Sequence, residues 1–442
     1  EPQKTEPQRT QRTQRRTALV FFVLFVLIVV PSFVVLSFVV QAQAPKPVRI
    51  AYLFSDGNIL GTMKAYKALL EERPDLRGRV NLTFLTESVF DDVKPADLTS
   101  VDVLVLDIMN QQMLDRYNAT HKVDVIANVA ARGKVIAVGE GLAPKESYTD
   151  KGAIWDERAR GLWGHSGFAN QVGLLKYALT QARVPGLTVS DPQPSLEGGY
   201  YYPDGKTGQV FATWESFDAW RQAHGKRRAG APRIAIGFFK STYYGGETDL
   251  LDALIAEIER QGAEAIPIFG YPGAVAHQRL LLDPQGRSRA DAAMGFLFNF
   301  SDTDAWKLLS KIDIPVIHLV SLYGRSEKEW RESSGMTQFE GTFQVAVPEL
   351  AGTIAPTVVG SKERVRDAET GVTMIVNKPI VSRVTTAVQR AIRYAALGRK
   401  TNREKRLALI YYNYPPGKAN IGASYLNVAD SLSNVLQRLA KD

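Results

Sequence analysis

Pro232-Arg233-Ile234-Ala235-Ile236-Gly237-Phe238-Phe239, followed at once by Lys240-Ser241-Thr242-Tyr243-Tyr244-Gly245-Gly246, carries the fold assignment. An apolar run of strand length leads into a polar, glycine-bearing turn. Leu250, Leu251, Leu254, Ile255 and Ile258 then recur with helical period until Gly262. Strand, turn and amphipathic helix form the repeating unit of parallel α/β sheets, whose ligands sit at the carboxyl ends of the strands. The same phrase occurs earlier as Val48-Arg49-Ile50-Ala51-Tyr52-Leu53-Phe54 and later as Lys405-Arg406-Leu407-Ala408-Leu409-Ile410-Tyr411. The chain therefore reads as α/β, with serial Rossmann-like or flavodoxin-like parallel-sheet units. The first occupies 47–230, the second 231–400, and a third, truncated one 401–442. The likeness of the three phrases concerns architecture only.

Within the first unit, Val80–Phe84, Val103–Leu106 and Val135–Val138 read as strands, and Ser55-Asp56-Gly57-Asn58 as the turn closing the first of them. From Ala143 to Gly230 the pattern loosens and aromatics gather: Trp155, Trp163, Tyr200, Tyr201, Tyr202, Trp214 and Trp220. They suit the packing of an irregular subdomain or the lining of a pocket for a large flat ligand. Arg221 to Arg228 reads as a solvated connector. In the second unit, Ala265–Phe269, Gly295–Phe298 and Pro315–Val320 are strand candidates. Helices are expected near Asp302–Ile312 and Ser382–Leu397.

Outward from these units lies an N-terminus of different character. Residues 1–16 are polar, with Lys4, Arg9, Arg12, Arg15 and Arg16 against Glu1 and Glu6, and are expected to be disordered. Ala18 to Val40 is almost wholly apolar; as a helix it would reach ~34 Å, enough for a ~30 Å hydrocarbon core. Residues 17–41 are thus expected to be a single-pass inner-membrane anchor, or a signal sequence if Ala42-Gln43-Ala44 is cleaved. The basic tail stays cytoplasmic and the main domain lies on the periplasmic, extracytoplasmic side. Glu1 in place of an initiator Met, and the stop at Asp442, set the expectation of a fragment. Of the formal charge of +8, the tail supplies five cations against two carboxylates. The remainder is too dilute to argue for nucleic acid.

Composition removes several chemistries. No cysteine is present, so disulfides, thiolate metal sites and thiol nucleophiles are excluded. The five histidines, His121, His165, His224, His277 and His318, are scattered, without metal-ligand spacing. Gly417-Lys418 is followed by Ala, so there is no P-loop, and neither a GxGxxG opening a helix nor a GxSxG elbow occurs. Carboxylate, histidine and tyrosine chemistry on a bound ligand or an oxygen-liking metal remains.

A second stretch is more specific. Tyr412-Asn413-Tyr414-Pro415-Pro416-Gly417-Lys418-Ala419-Asn420-Ile421-Gly422-Ala423-Ser424-Tyr425-Leu426 closely resembles a motif of the large, H-type subunit of cobaltochelatase and magnesium chelatase. Lys240 to Leu251, and Ile314 to Gly352 with Val347-Pro348-Glu349-Leu350, are similar to the same family in the same order. The resemblance implies a tetrapyrrole substrate and insertion of cobalt or magnesium, with ATP hydrolysed by separate AAA+ partner subunits and no tightly bound cofactor. Anchored relatives are associated with haem handling, including removal of its iron. Glu349 and His318 are the candidates to take the pyrrole protons. Lys418 is a partner for peripheral carboxylates. Asn413, Tyr414 and Asn420 shape the loop, and Tyr243 and Tyr244 are further ligand-binding candidates. No residue is assigned to a resident metal. The alternative is a non-catalytic extracytoplasmic protein that binds a tetrapyrrole or metal and passes it on.

Overall fold

The computed structural model describes residues 46–441 apart from 55–58, 87–89, 91, 108–110, 140–143, 206–207, 271–272, 297–304 and 411–425. The tail, the anchor or signal segment, the Ser55–Asn58 turn and nearly all of the Tyr412–Leu426 motif lie outside these residues. Among the described residues no helix is long and apolar enough to cross a membrane.

Two sheets form. The first has the order β2-β1-β3-β4 and is wholly parallel, from β1 (Val48–Phe54), β2 (Val80–Thr86), β3 (Val103–Asp107) and β4 (Lys134–Ala137). Every residue of β3 is buried, as expected of a central parallel strand covered on both faces.

The second sheet has eight strands in the order β12-β11-β10-β9-β7-β8-β5-β6. Its parallel centre comprises β7 (Arg233–Phe238), β8 (Glu264–Gly270), β9 (Ala292–Gly295) and β10 (Val316–Ser321), extended by the first half of β11 (Ile354–Arg366). The helix Asp249–Arg260 buries Leu250, Leu251, Leu254, Ile255 and Ile258, the five residues whose spacing announces it.

Three details differ from the sequence reading. First, β5 (Gly198–Tyr202) and β6 (Gln209–Phe211) add antiparallel to β8, so residues assigned by sequence to 47–230 complete the second sheet. Tyr200, Tyr201 and Tyr202 are core residues of that sheet, with Tyr200 stacked on Phe217 at 4.8 Å. Second, β9 starts at Ala292, before the expected Gly295–Phe298. Its alanines carry little β propensity but fit between two neighbours in a crowded sheet. Third, residues 405–410 form no strand. Leu407, Leu409 and Ile410 are 66%, 48% and 94% exposed, and the helix Val428–Lys441 buries none of its residues. A strand exists only through pairing, and no described strand lies beside this one.

The far half of β11 pairs with β12 (Thr373–Pro379) as an antiparallel ribbon that leaves its own sheet. Met374 and Val376 of β12 join the core of the first unit beside Met63 and Tyr66. At the ribbon's turn, Asp367 accepts from Lys67 Nζ at 2.5 Å and from Thr370 N and Oγ1 at 2.9 Å each. Burial opposes ionisation of Asp367, but these hydrogen bonds outweigh it and hold its pKa at about 2. Asp367→Asn is expected to cost about 1 kcal/mol at neutral pH. Because the folded pKa is depressed, this contribution is complete above the ordinary carboxylate range and is lost as pH falls towards 2. Denaturant titrations of both proteins across acid pH measure the shrinking difference.

Candidate functional site

Strands β7, β9 and β10 end beside one another, the place where open α/β sheets bind ligands. A cavity of about 230 Å³ opens there, between Phe238, Leu250, Phe296, Leu322 and Tyr323. Its polar lining is a chain of hydrogen bonds. Asn377 Nδ2 donates to Glu247 Oε2 at 2.7 Å and Ser321 Oγ lies 3.2 Å from Asn377 Oδ1, while Gln344, outside the lining, donates its Nε2 to the Ser321 carbonyl at 2.8 Å. Glu247 is buried. Lys362 supplies a cation to the lining, and among the described residues its side chain has no ion pair or hydrogen bond.

Tyr323 also begins an aromatic ladder on the surface. Its ring centroid lies 5.1 Å from Phe339, which lies 4.8 Å from Phe343. The three are 49%, 47% and 36% exposed. Local sequence builds this ladder. Thr337 and Glu340 form a reciprocal capping box that starts the helix Gln338–Gly341. Phe339 and Phe343, four residues apart, then face the same side. The next turn, Thr342–Ala346, is π-helical, ahead of a final turn Val347–Leu350. Pro348 has no N–H for the Gln344 carbonyl, which accounts for the widened turn before it. Glu340, buried, pairs with Arg325 and accepts from the Tyr323 N–H, fixing the ladder to the end of β10.

The sequence candidates fall in several places. His318 lies within β10 in register with Gly295, which is in register with Gly237, so the three share one sheet face. A Cβ on Gly237 would fall on the imidazole of His277, on the helix Gly273–Leu281, so that helix covers this face. His318 is therefore enclosed and absent from the cavity lining; its Nδ1 has no hydrogen-bond partner among the described residues, and burial pushes its pKa down to about 4. Glu349 is exposed on the turn Val347–Leu350. No hydrogen bond or ion pair among the described residues joins it to His318.

Tyr243 and Tyr244 stand at the seam between the units. The Tyr244 hydroxyl accepts from the Leu196 N–H at 2.8 Å, and its carbonyl accepts from the Gly167 N–H at 3.0 Å. Gly61 N–H donates to the Gly245 carbonyl at 2.8 Å, an approach that a Cβ on Gly61 would block. Tyr243 is half-buried, its ring 5.4 Å from Tyr201. The turn after β7 thus joins the two units, while its Thr242 lines the cavity. Asn413, Tyr414, Lys418 and Asn420 lie outside the described residues. Among the described residues no three His, Cys, Asp or Glu side chains gather to hold a metal ion. Sequence reading missed Tyr323, Phe339, Phe343 and Lys362. The capping box followed by aromatics at helical spacing was a legible signal for two of them.

Comparison with known proteins agrees with this architecture. The family described as CobN/Magnesium Chelatase matches residues 160–442. The chloroplastic magnesium-chelatase subunit ChlH of Oryza sativa subsp. indica is 34% identical over 270 residues, which are 57% of this chain and 19% of the rice protein. The aerobic cobaltochelatase subunit CobN of Sinorhizobium sp is 27% identical over 299 residues, 65% of this chain and 23% of that protein. The chain thus spans about a fifth to a quarter of the length of these relatives. The catalytic subunit of cobaltochelatase from Mycobacterium tuberculosis superposes with a TM-score of 0.57 at 20% identity, over 90% of this chain and 31% of that one, and so shares its fold. With the family match extending over more than half of its residues, the chain belongs to the CobN/magnesium chelatase family.

Proposed function

We propose that this chain is part of a tetrapyrrole-handling chelatase subunit, and that the cavity at the ends of β7, β9 and β10 receives one edge of the macrocycle. The observation that carries the reading is the aromatic ladder Tyr323–Phe339–Phe343, whose first ring lines the cavity. At about 230 Å³ the cavity falls below the ~300–1,000 Å³ of sites that enclose a whole ligand. It suits an edge with its substituents, while the ladder offers stacking faces for the flat ring. Lys362 is placed to meet a peripheral carboxylate.

Metal insertion replaces two pyrrole protons by a divalent ion, and those protons need an acceptor. Glu349 is the accessible one of the two candidate acceptors; His318, enclosed under the helix Gly273–Leu281, would act only if that cover moved aside. Lys418, Asn413, Tyr414 and Asn420 would extend the site from their loop, and Tyr243 and Tyr244 would border it. Cobalt or magnesium is the substrate metal, with haem iron the cargo if an anchored relative works in the direction of removal. ATP supplied through AAA+ partner subunits belongs to metal insertion; removal of haem iron by an anchored, extracytoplasmic chain needs none. Residues 17–41 anchor the chain in the inner membrane with the domain extracytoplasmic.

The full chain in detergent, titrated with a free-base porphyrin dicarboxylate, is expected to shift the porphyrin absorbance band. Phe339→Ala is expected to weaken binding by about tenfold, in line with ~0.5–1.5 kcal/mol for an aromatic contact. Lys362→Met should weaken binding of the dicarboxylate but not of its dimethyl ester. Absence of any spectral shift would overturn the reading.

A further inference from the structure

We infer that the basic groove at the amino ends of β1 and β4 docks on an anionic lipid surface. The groove lies at the opposite end of the first sheet from the carboxyl ends of its strands. It is lined by Lys46, Arg49, Arg132, Lys134 and Arg183, all exposed. Asp102 is the one carboxylate in the lining, and its Oδ2 is engaged by the Arg49 backbone N–H at 2.7 Å. Among the described residues none of the five cations has an ion pair or a side-chain hydrogen bond. The fold holds them together. Arg132-Gly133-Lys134 makes the tight entry to β4, where a Cβ on Gly133 would meet the Asp102 carbonyl, and Arg183 follows the end of the helix Phe168–Gln181.

Two further points name the occupant. Uncompensated cations in one concave patch attract a surface of distributed negative charge rather than a single counter-ion. The tether is also short. The proposed anchor closes at residue 41 and the groove begins at Lys46, so about five residues of at most ~3.5 Å each leave ~18 Å between them. Such a tether holds the groove close enough to touch the headgroups, where its cations come within the ~8 Å Debye length of physiological ionic strength. The inference therefore rests on the proposed membrane anchor.

The test uses the full chain in nanodiscs of phosphatidylcholine alone and of phosphatidylcholine with phosphatidylglycerol. Amine acetylation at Lys46 and Lys134 is read by mass spectrometry, with the exposed Lys328 of the helix Glu327–Glu332 as internal reference. The expected result is several-fold lower labelling of Lys46 and Lys134 in the anionic discs, reversed by high salt, with Lys328 unchanged. Arg132→Glu combined with Arg183→Glu should restore labelling of Lys46. Equal labelling in both discs by a chain that co-elutes with them would overturn the docking and leave the anchor standing. A chain that does not co-elute with either disc removes the anchor, and the docking inference with it.

Discussion

Arg221→Met is expected to lower the free energy of unfolding by about 3–5 kcal/mol, the usual consequence of removing one member of a buried ion pair. Arg221 closes the helix Trp214–Ala223 and is 1% exposed. Its guanidinium pairs with Glu264, the first residue of β8, and lies 3.4 Å from Asp218. Glu264 is also buried and accepts from the Arg228 backbone N–H. Without the guanidinium its buried carboxylate keeps, among the described residues, the Arg228 backbone donor. Arg221→Met combined with Glu264→Leu should recover most of the loss, because the desolvation cost of both charges disappears together. Chemical denaturation of the four proteins closes the cycle. A single mutant within about 1 kcal/mol of the parent would show the pair to be hydrated. The sequence places Arg221 in a solvated connector, because Lys226-Arg227-Arg228 dominates that stretch. The structure corrects this, since β8 brings the matching carboxylate from forty-three residues away.

The second large effect is a pH slope from His318. The enclosed imidazole has a folded pKa near 4 against an ordinary value of 6.5, because burial disfavours the imidazolium. Between these values the unfolded chain binds a proton that the folded chain refuses. Stability is therefore complete above about pH 6.5 and falls as pH drops towards 4, by up to about 3 kcal/mol. His318→Gln, neutral throughout, should lack this component. The stability difference between parent and variant should then shrink from pH 7 to pH 4, as read by unfolding at each pH. Parallel curves would mean that the imidazole is solvated or paired when charged.

The candidate site was half visible in the amino-acid sequence. The end of β7 was marked by its polar, glycine-bearing turn, and Thr242 of that turn does line the cavity. The two tyrosines beside it are instead packed at the seam between the units, because Gly61 and Gly245 allow backbone contact there. Lys362 and Asn377 reach the cavity only because β11 and β12 leave the sheet as a ribbon. Nothing local to either residue announces that path.

The repeated strand–turn–helix phrases were enough to establish the α/β class, the parallel centre of both sheets and the buried face of Asp249–Arg260, because hydrophobic periodicity is a local property. Three things were left to the folded chain. These were the capture of β5 and β6 by the second sheet, the crossing of the β11–β12 ribbon into the first core, and the unpaired state of 405–410. All three depend on which partner a strand or side chain meets across a long sequence separation. Pairing energy is realised only between segments brought together in space, so no window of sequence contains it.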